Sequence, residues 1–359
     1  MIVKKLVLRN FRNYDFVDVE FDPKLNIIIG DNAAGKTNIV EAIHFLSLAR
    51  SFRTLESAEL IKNRRQFATI EASVEQDTIK KDIVALMTSS SKKFTCNDKP
   101  VRKLSDLSKL INVLVFQPKD TLMFSDSPLV RRNFLDVNLS KKSPVYLENL
   151  MIFEKLLRER NAILKEDNID QVQLNVVTEQ LVEVEETICK YRQAYISEIN
   201  QVLSKIITQL KGEMETAKLE YLPFIKLDDK FKVSCARAYE RNKESDIKHK
   251  MTQIGIHRED MKMILNGKDI SLQGSQGENR IAVIALKIAP YFLIEDKDEK
   301  PIIVLDDVMS ELDTEHKERL ITFVKGLGQV FITSTNTTVK NASIYEVKQH
   351  NITRRNAKW

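Results

Sequence analysis

Cysteine is scarce in this 359-residue chain: Cys96, Cys189 and Cys235 stand far apart, with no CxxC pair. That spacing argues against a zinc ribbon or a disulfide framework and predicts a reducing, cytoplasmic setting. No apolar run approaches membrane-spanning length. The start, MIVKKLVLRNF, alternates like a strand and lacks the apolar core of a signal peptide, so neither secretion nor membrane contact is expected. Internal repeats and low-complexity stretches are also missing. What is present is 43% hydrophobic and 30% charged residues with a net charge of +5. This describes a folding, highly charged chain with a modest basic excess, which fits a polyanionic partner and equally fits an ordinary solvated surface. The length predicts one large split domain or two unequal ones.

Along the chain, apolar residues alternate from Val3 to Phe21 and then run continuously from Asn26 to Ile29, predicting strands that end in a buried one. Residues 67 to 96 give three more strand-like runs, with turns near Gln76-Asp77 and at Ser89 to Ser91. Together these predict an antiparallel β lobe. A short helix over Leu104 to Leu110 and a buried strand over Val113 to Phe116 follow. Ser143-Pro144 is a helix start. From Leu181 to Leu210 apolar residues recur at spacings of three and four, predicting long helices that form either an arm or the core of a helical subdomain. Asn266-Gly267 signals a hairpin. A helix, a strand over Ile302 to Leu305, a helix capped by Asp313 and a strand over Val330 to Thr333 complete an alternating α/β pattern.

Glycine is rare, with nine in the chain, so its placement is informative. Gly30-Asp31-Asn32-Ala33-Ala34-Gly35-Lys36-Thr37 fits GxxxxGK[ST] between a predicted strand and the helical pattern of Ile39, Ile43 and Leu46. Glycines let backbone amides curl around phosphates, Lys36 reaches the outer phosphates, and Thr37 can ligate magnesium. Pro301 to Asp307 is an apolar strand ending in two carboxylates. Alone it describes many buried strands; with the P-loop it predicts Asp306 as a magnesium holder and Asp307 as the group that polarises water. Ser275 and Gly277, in Ser275-Gln276-Gly277-Glu278-Asn279, open another helix. They read either as a turn before a core helix or as an anion site that caps the γ-phosphate of a nucleotide held by a second subunit. His44, His249, His257, His316 and His350 lack ligand spacing, so no metal beyond nucleotide-bound Mg2+ is predicted.

The order of P-loop, Gln117 after a strand, Ser275 to Asn279, Asp306-Asp307 and Ser310 to Asp313 resembles the ABC ATPases of the SMC and Rad50 branch. Within that branch Asn10 to Tyr14, Arg50 to Thr54, Arg131 to Asp136, Gly255 to Asp260 and Leu305 to Asp313 resemble the RecF family. The resemblance implies an α/β ABC-type head with an antiparallel β lobe, split over 1–120 and 222–359, and a helical arm over 121–221. It implies ATP and Mg2+ as cofactors, with Gln117 sensing γ-phosphate and magnesium, and a dimer formed on ATP. It also implies DNA as ligand, and RecO and RecR as partners in loading RecA at single-strand gaps. Ser334-Thr335-Asn336 fill the position where transporter ATPases commonly carry His, so slow hydrolysis is expected. Short basic clusters at Lys62, Arg64, Arg65, Lys92, Lys93, Arg131, Arg132, Lys141 and Lys142 are candidate phosphate contacts. A transporter-type ATPase subunit and a non-hydrolysing ATP-clamped scaffold are the rival readings; the long stretch between Gln117 and Ser275 counts against the first, and Asp307 against the second.

Overall fold

The computed structural model describes residues 1–355 except 55 and 338; the side chain of Glu311, within the Ser310 to Asp313 segment, also lies outside the described residues. The described chain divides into two compact units, one of residues 1–121, 205–214 and 280–359, the other of 122–204 and 215–279.

In the first unit, β1 (Ile2–Phe11), β2 (Tyr14–Glu20), β4 (Phe67–Gln76), β5 (Ile79–Thr88), β6 (Lys92–Cys96) and β7 (Lys99–Pro100) form a six-stranded antiparallel sheet in the order β2-β1-β4-β5-β6-β7. Alternation puts Leu6, Leu8, Ile70, Ala85 and Phe94 on its buried face. A second six-stranded sheet has the order β15-β14-β3-β13-β12-β8. It contains β3 (Leu25–Ile29), β8 (Val113–Phe116), β12 (Ile302–Leu305), β13 (Val330–Ser334), β14 (Ser343–Lys348) and β15 (Asn351–Arg354). β8, β12, β13, β3 and β14 run parallel, and β15 closes the edge antiparallel. β3, β12 and β13 are buried at every position, as continuous apolar runs in a parallel sheet require. The helix α1 (Lys36–Leu48) contributes Ile39, Val40, Ala42, Ile43, Phe45 and Leu46 to a core shared with residues of both sheets. It is apolar around most of its circumference, which suits a helix covered on more than one side. The helices α2 (Leu107–Leu110) and α9 (Thr314–Lys325) complete this unit, the latter capped by Asp313, whose carboxylate accepts from the His316 amide at 2.9 Å.

In the second unit are α3 (Pro128–Lys142), α4 (Pro144–Ile163), most of the 41-residue α5 (Gln171–Lys211), α6 (Phe231–His249) and a three-stranded sheet, β11-β10-β9, made of β9 (Ala217–Leu222), β10 (Asp260–Leu265) and β11 (Lys268–Asp269). The Ser143 hydroxyl caps α4 by accepting from the Tyr146 amide at 3.2 Å. Asn266 and Gly267, at φ 49° and 79°, make the β10–β11 turn. The short α7 (Ile270–Gln273) leads to α8 (Gln276–Phe292), which crosses from one unit to the other.

The expected division at 222 differs from this one. Residues 222–279 belong with the helices because buried polar groups of α5 find partners there. Arg192, 2% exposed, donates to Glu259 at 2.7 Å, to the Ile256 carbonyl at 3.0 Å and to Asp136 at 2.8 Å. Glu185 accepts from Tyr239 at 2.9 Å and from the Ile256 amide at 3.1 Å. Burial pushes the Glu185 carboxyl up to about 8. The apolar stripe thus carries an acid and an arginine inside it, and the expected arm is the core of a compact α+β unit.

Candidate functional site

Parallel register places the chemistry on one edge of the second sheet. Phe116 pairs with Leu305, Leu305 with Ile332, and Ser334 with Ile29. β8 and β12 end level with each other, β13 and β3 run two residues further to Ser334 and Ile29, and Gln117, Asp306, Asp307 and Gly30 leave these strands at the same edge of the sheet, where parallel α/β sheets bind ligands.

The P-loop depends on two close approaches. A Cβ on Gly30 would lie 2.5 Å from the Val347 carbonyl oxygen; one on Gly35, at φ 114°, would lie 2.7 Å from the Tyr14 hydroxyl. Only glycine fits either place. Lys36 is 7% exposed and its Nζ donates to the carbonyls of Gly30 and Asp31 at 2.8 and 2.9 Å, which holds the ammonium across the curve of the loop. Burial lowers its pKa, opposed by Asp307, Asp306 and Asp31. Gln117 turns out of β8 with its amide bonded to the Asp120 carboxylate at 2.9 Å.

Asp306 is the electrostatic centre. It is 5% exposed, and its Oδ1 accepts from Thr37 at 2.9 Å and from Thr333 at 2.6 Å. Burial raises its pKa and the two hydroxyls oppose the rise. Hard oxygens of Thr37 and Asp306 side by side at the loop's end are the donor set Mg2+ prefers, so these residues fit the ion. Asp307 adopts a left-handed backbone at φ 49°, and its amide donates to the Thr333 hydroxyl at 2.9 Å. That conformation is uncommon outside glycine, although aspartate and asparagine adopt it more readily than other residues.

Thr333 carries this arrangement although the sequence pattern marks it only as the end of a strand. Thr333→Val removes the donor to Asp306 and the acceptor of the Asp307 amide. Leaving buried polar groups unpaired costs about 1–3 kcal/mol, so steady-state assays should show kcat down about tenfold or more with ATP binding nearly unchanged.

Other residues of the site come from the family motifs. Arg12 grips the fully buried Glu41 of α1 through two bonds at 2.6 and 2.9 Å, and Ser51 donates to the same carboxylate at 2.5 Å. Arg53 donates to Asn38 at 2.8 Å, and Asn38 to Asn13 at 2.7 Å. Asn13 also meets the Ala34 carbonyl at 3.4 Å and His350 at 2.7 Å, while Tyr14 donates to the Gly35 carbonyl at 3.1 Å. Asn10 to Tyr14 and Arg50 to Thr54 thus brace the P-loop and α1. Their signal was the motif itself, and its role became visible only through these contacts.

Ser275 and Gly277 belong to the second unit and the P-loop to the first. Ser275 and Glu278 form a capping box: the Glu278 amide donates to the Ser275 hydroxyl at 3.2 Å, and the Ser275 amide to the Glu278 carboxylate at 2.8 Å. Asn279 reaches back to the carbonyls of Ile270, Gly274 and Ser275 at 3.1–3.2 Å. Both Ser275 and Gly277 are exposed, and a Cβ on Gly277 would meet nothing within 4 Å.

One DNA candidate, Arg131, is corrected. Arg131, 7% exposed, is held by Asp260 at 2.6 and 2.9 Å and by the Met123 and Asp126 carbonyls; Arg132 donates to the Glu259 carbonyl at 2.6 Å. They tie α3 to the Gly255 to Asp260 segment, and Arg131 in particular, being buried, must find its acceptors within the protein. No cluster of three or more His, Cys, Asp or Glu suited to a metal occurs among the described residues, and no described helix is long and apolar enough to cross a membrane.

The model of the RecF/RecN/SMC N terminal domain family matches residues 2–356. DNA replication and repair protein RecF of Halalkalibacterium halodurans is 37% identical over 365 residues, covering 97% of this chain and 98% of that one. The RecF of Bacillus subtilis is 34% identical over 364 residues, with 97% and 98% covered. A solved structure described as the recombination mediator protein RecF-ATP in the RecFOR pathway superposes with TM-score 0.89 at 29% identity, covering 99% of this chain and 98% of that one. An SMC head bound to the C-winged helix domain of ScpA matches at TM-score 0.60 and 15% identity over 100% and 98% of the two chains, a likeness of fold alone. The ABC-type α/β ATPase fold read from the motifs is therefore the fold of this chain.

Proposed function

The chain belongs to the RecF family of DNA replication and repair proteins, and from that premise we propose that it is a cytoplasmic, ATP-driven dimer that binds DNA. In this reading it acts with RecO and RecR to help load RecA at single-strand gaps. The observation that carries the nucleotide part is the parallel register of β8, β12, β13 and β3, whose C-terminal ends bring Gly30 to Thr37, Gln117, Asp306 and Asp307 to one edge.

On ATP binding, Lys36 exchanges the loop carbonyls for the outer phosphates, and the amides of Asp31 to Thr37 line the phosphate path. Thr37, Asp306 and Gln117 would hold Mg2+, which neutralises charge on the β- and γ-phosphate oxygens when bound. Asp307 orients the attacking water. Ser334-Thr335-Asn336 offer no imidazole to the γ-phosphate, which favours slow turnover, and DNA would stimulate it. Ser275 and Gly277 cap the nucleotide of the partner subunit: they are exposed at a helix start, and Gly277 leaves open space beside its Cα.

The test separates sharing from local use of the two motifs. Ser275→Arg and Lys36→Ala should each abolish hydrolysis, the first with monomer ATP binding intact. Mixed, they form heterodimers in which one composite site is wholly wild type, so part of the ATPase activity should return. Inactivity in heterodimers shown by sedimentation to have formed would end the shared-site reading. ATP-independent sedimentation of the wild type, with DNA-independent absence of turnover, would favour a non-hydrolysing scaffold.

A further inference from the structure

The antiparallel sheet of the first unit has an uncovered face that the nucleotide site does not use. Cross-strand register sets Phe16 opposite Arg9, Arg9 opposite Thr69, Thr69 opposite Leu86 and Leu86 opposite Lys93, a single row across β2, β1, β4, β5 and β6. With strands about 4.8 Å apart the row spans ~19 Å. Phe67 stands two residues along β4 from Thr69, on the same face. Phe16 and Phe67 are 48% and 46% exposed, where a core residue would be covered. Arg9 lays its guanidinium over the Phe16 ring, 4.9 Å from the centroid.

The surroundings are basic. The turn that enters β4 carries Lys62, Arg64 and Arg65, with Lys62 and Arg65 drawn to Asp15 beside Phe16 at 2.5 and 3.5 Å. At this end of the face Arg9, Lys62, Arg64, Arg65 and Lys93 outnumber the carboxylates Asp15 and Glu71; farther along, Lys5–Asp18 and Lys4–Glu75 balance one another. Exposed aromatic rings on a rigid sheet, flanked by cations, suit a polyanion that also offers flat π-faces. Duplex DNA keeps its bases stacked internally and would leave the rings without partners.

We propose that this face is a single-stranded DNA platform, in which Phe16 and Phe67 stack unpaired bases and Arg9, Lys93 and the 62–65 turn hold the backbone. The proposal rests on the DNA-binding reading above and specifies the strand and the surface. Anisotropy with a labelled short oligothymidylate and with a blunt duplex, at fixed salt and with ATP, tests it on the full chain. Phe16→Ala/Phe67→Ala should weaken oligothymidylate binding at least tenfold, given that loss of one stacking aromatic costs about fivefold to a hundredfold, and shift duplex binding less than threefold. Phe67→Trp should keep the affinity and show tryptophan quenching on binding. Unchanged oligothymidylate affinity in the alanine variant overturns the platform while leaving DNA binding in place. Wild-type affinity in Phe16→Leu/Phe67→Leu also overturns it, since leucine preserves an apolar docking surface for a protein but not a stacking one. Wild-type protein that binds neither oligonucleotide would refute the DNA-binding reading itself.

Discussion

Asp307→Asn is expected to lower kcat for ATP by about 10²- to 10⁴-fold, the usual loss when a group that handles the reacting proton is removed, with little change in ATP affinity. The substitution is nearly isosteric. Asparagine tolerates the left-handed backbone that Asp307 adopts at φ 49°, and the amide bond to Thr333 at 2.9 Å is untouched. Lys36 and Asp306, which the proposal assigns to the phosphates and the ion, stay in place. What disappears is the negative oxygen to which the proposal assigns the orienting of water. An enzyme that binds ATP and cannot release it by hydrolysis should accumulate as a dimer, visible as a faster-sedimenting species that ATP produces and ADP does not. Normal turnover by this variant would remove Asp307 from the mechanism and move attention to Gln117.

Arg192→Met should be the most destabilising single change in the second unit, lowering its unfolding free energy by about 3–5 kcal/mol, the cost of stranding buried partners of an ion pair. Glu259 is 2% exposed, and its carboxylate accepts from Arg192, Tyr221 and the Cys189 thiol, the last at 3.2 Å. Asp136 accepts from the same guanidinium and from Tyr146. Without Arg192 the two carboxylates keep only neutral donors. Burial and the neighbouring acid already hold the Cys189 thiol well above its usual range, which shows how little that pocket favours negative charge. Urea unfolding of Arg192→Met should give a lower midpoint. The double variant with Glu259→Gln should lose less than the sum of the two single changes, because the second substitution removes the charge the first one strands. Additive losses would mean that Arg192 acts mainly through packing.

The nucleotide loop, the paired carboxylates and the strand runs were legible in the sequence because each encodes its geometry locally. Gly30 and Gly35 announce a curl that a side chain would block, an apolar run of four such as Ile302 to Leu305 announces a buried strand, and Ser143-Pro144 or Asn266-Gly267 sets a helix start or turn within a few residues. What only the tertiary structure decided depends on residues far apart in the chain. Thr333 reaches Asp306 because β13 lies beside β12, and Arg12 reaches Glu41 because β1 and α1 share one core. Glu185 and Arg192 interrupt the apolar stripe as ordinary charged residues in sequence. Their burial, and with it the place where the second unit ends, follows from partners at 239, 256 and 259. A buried charge is stable only where such partners converge, and no local pattern records that convergence.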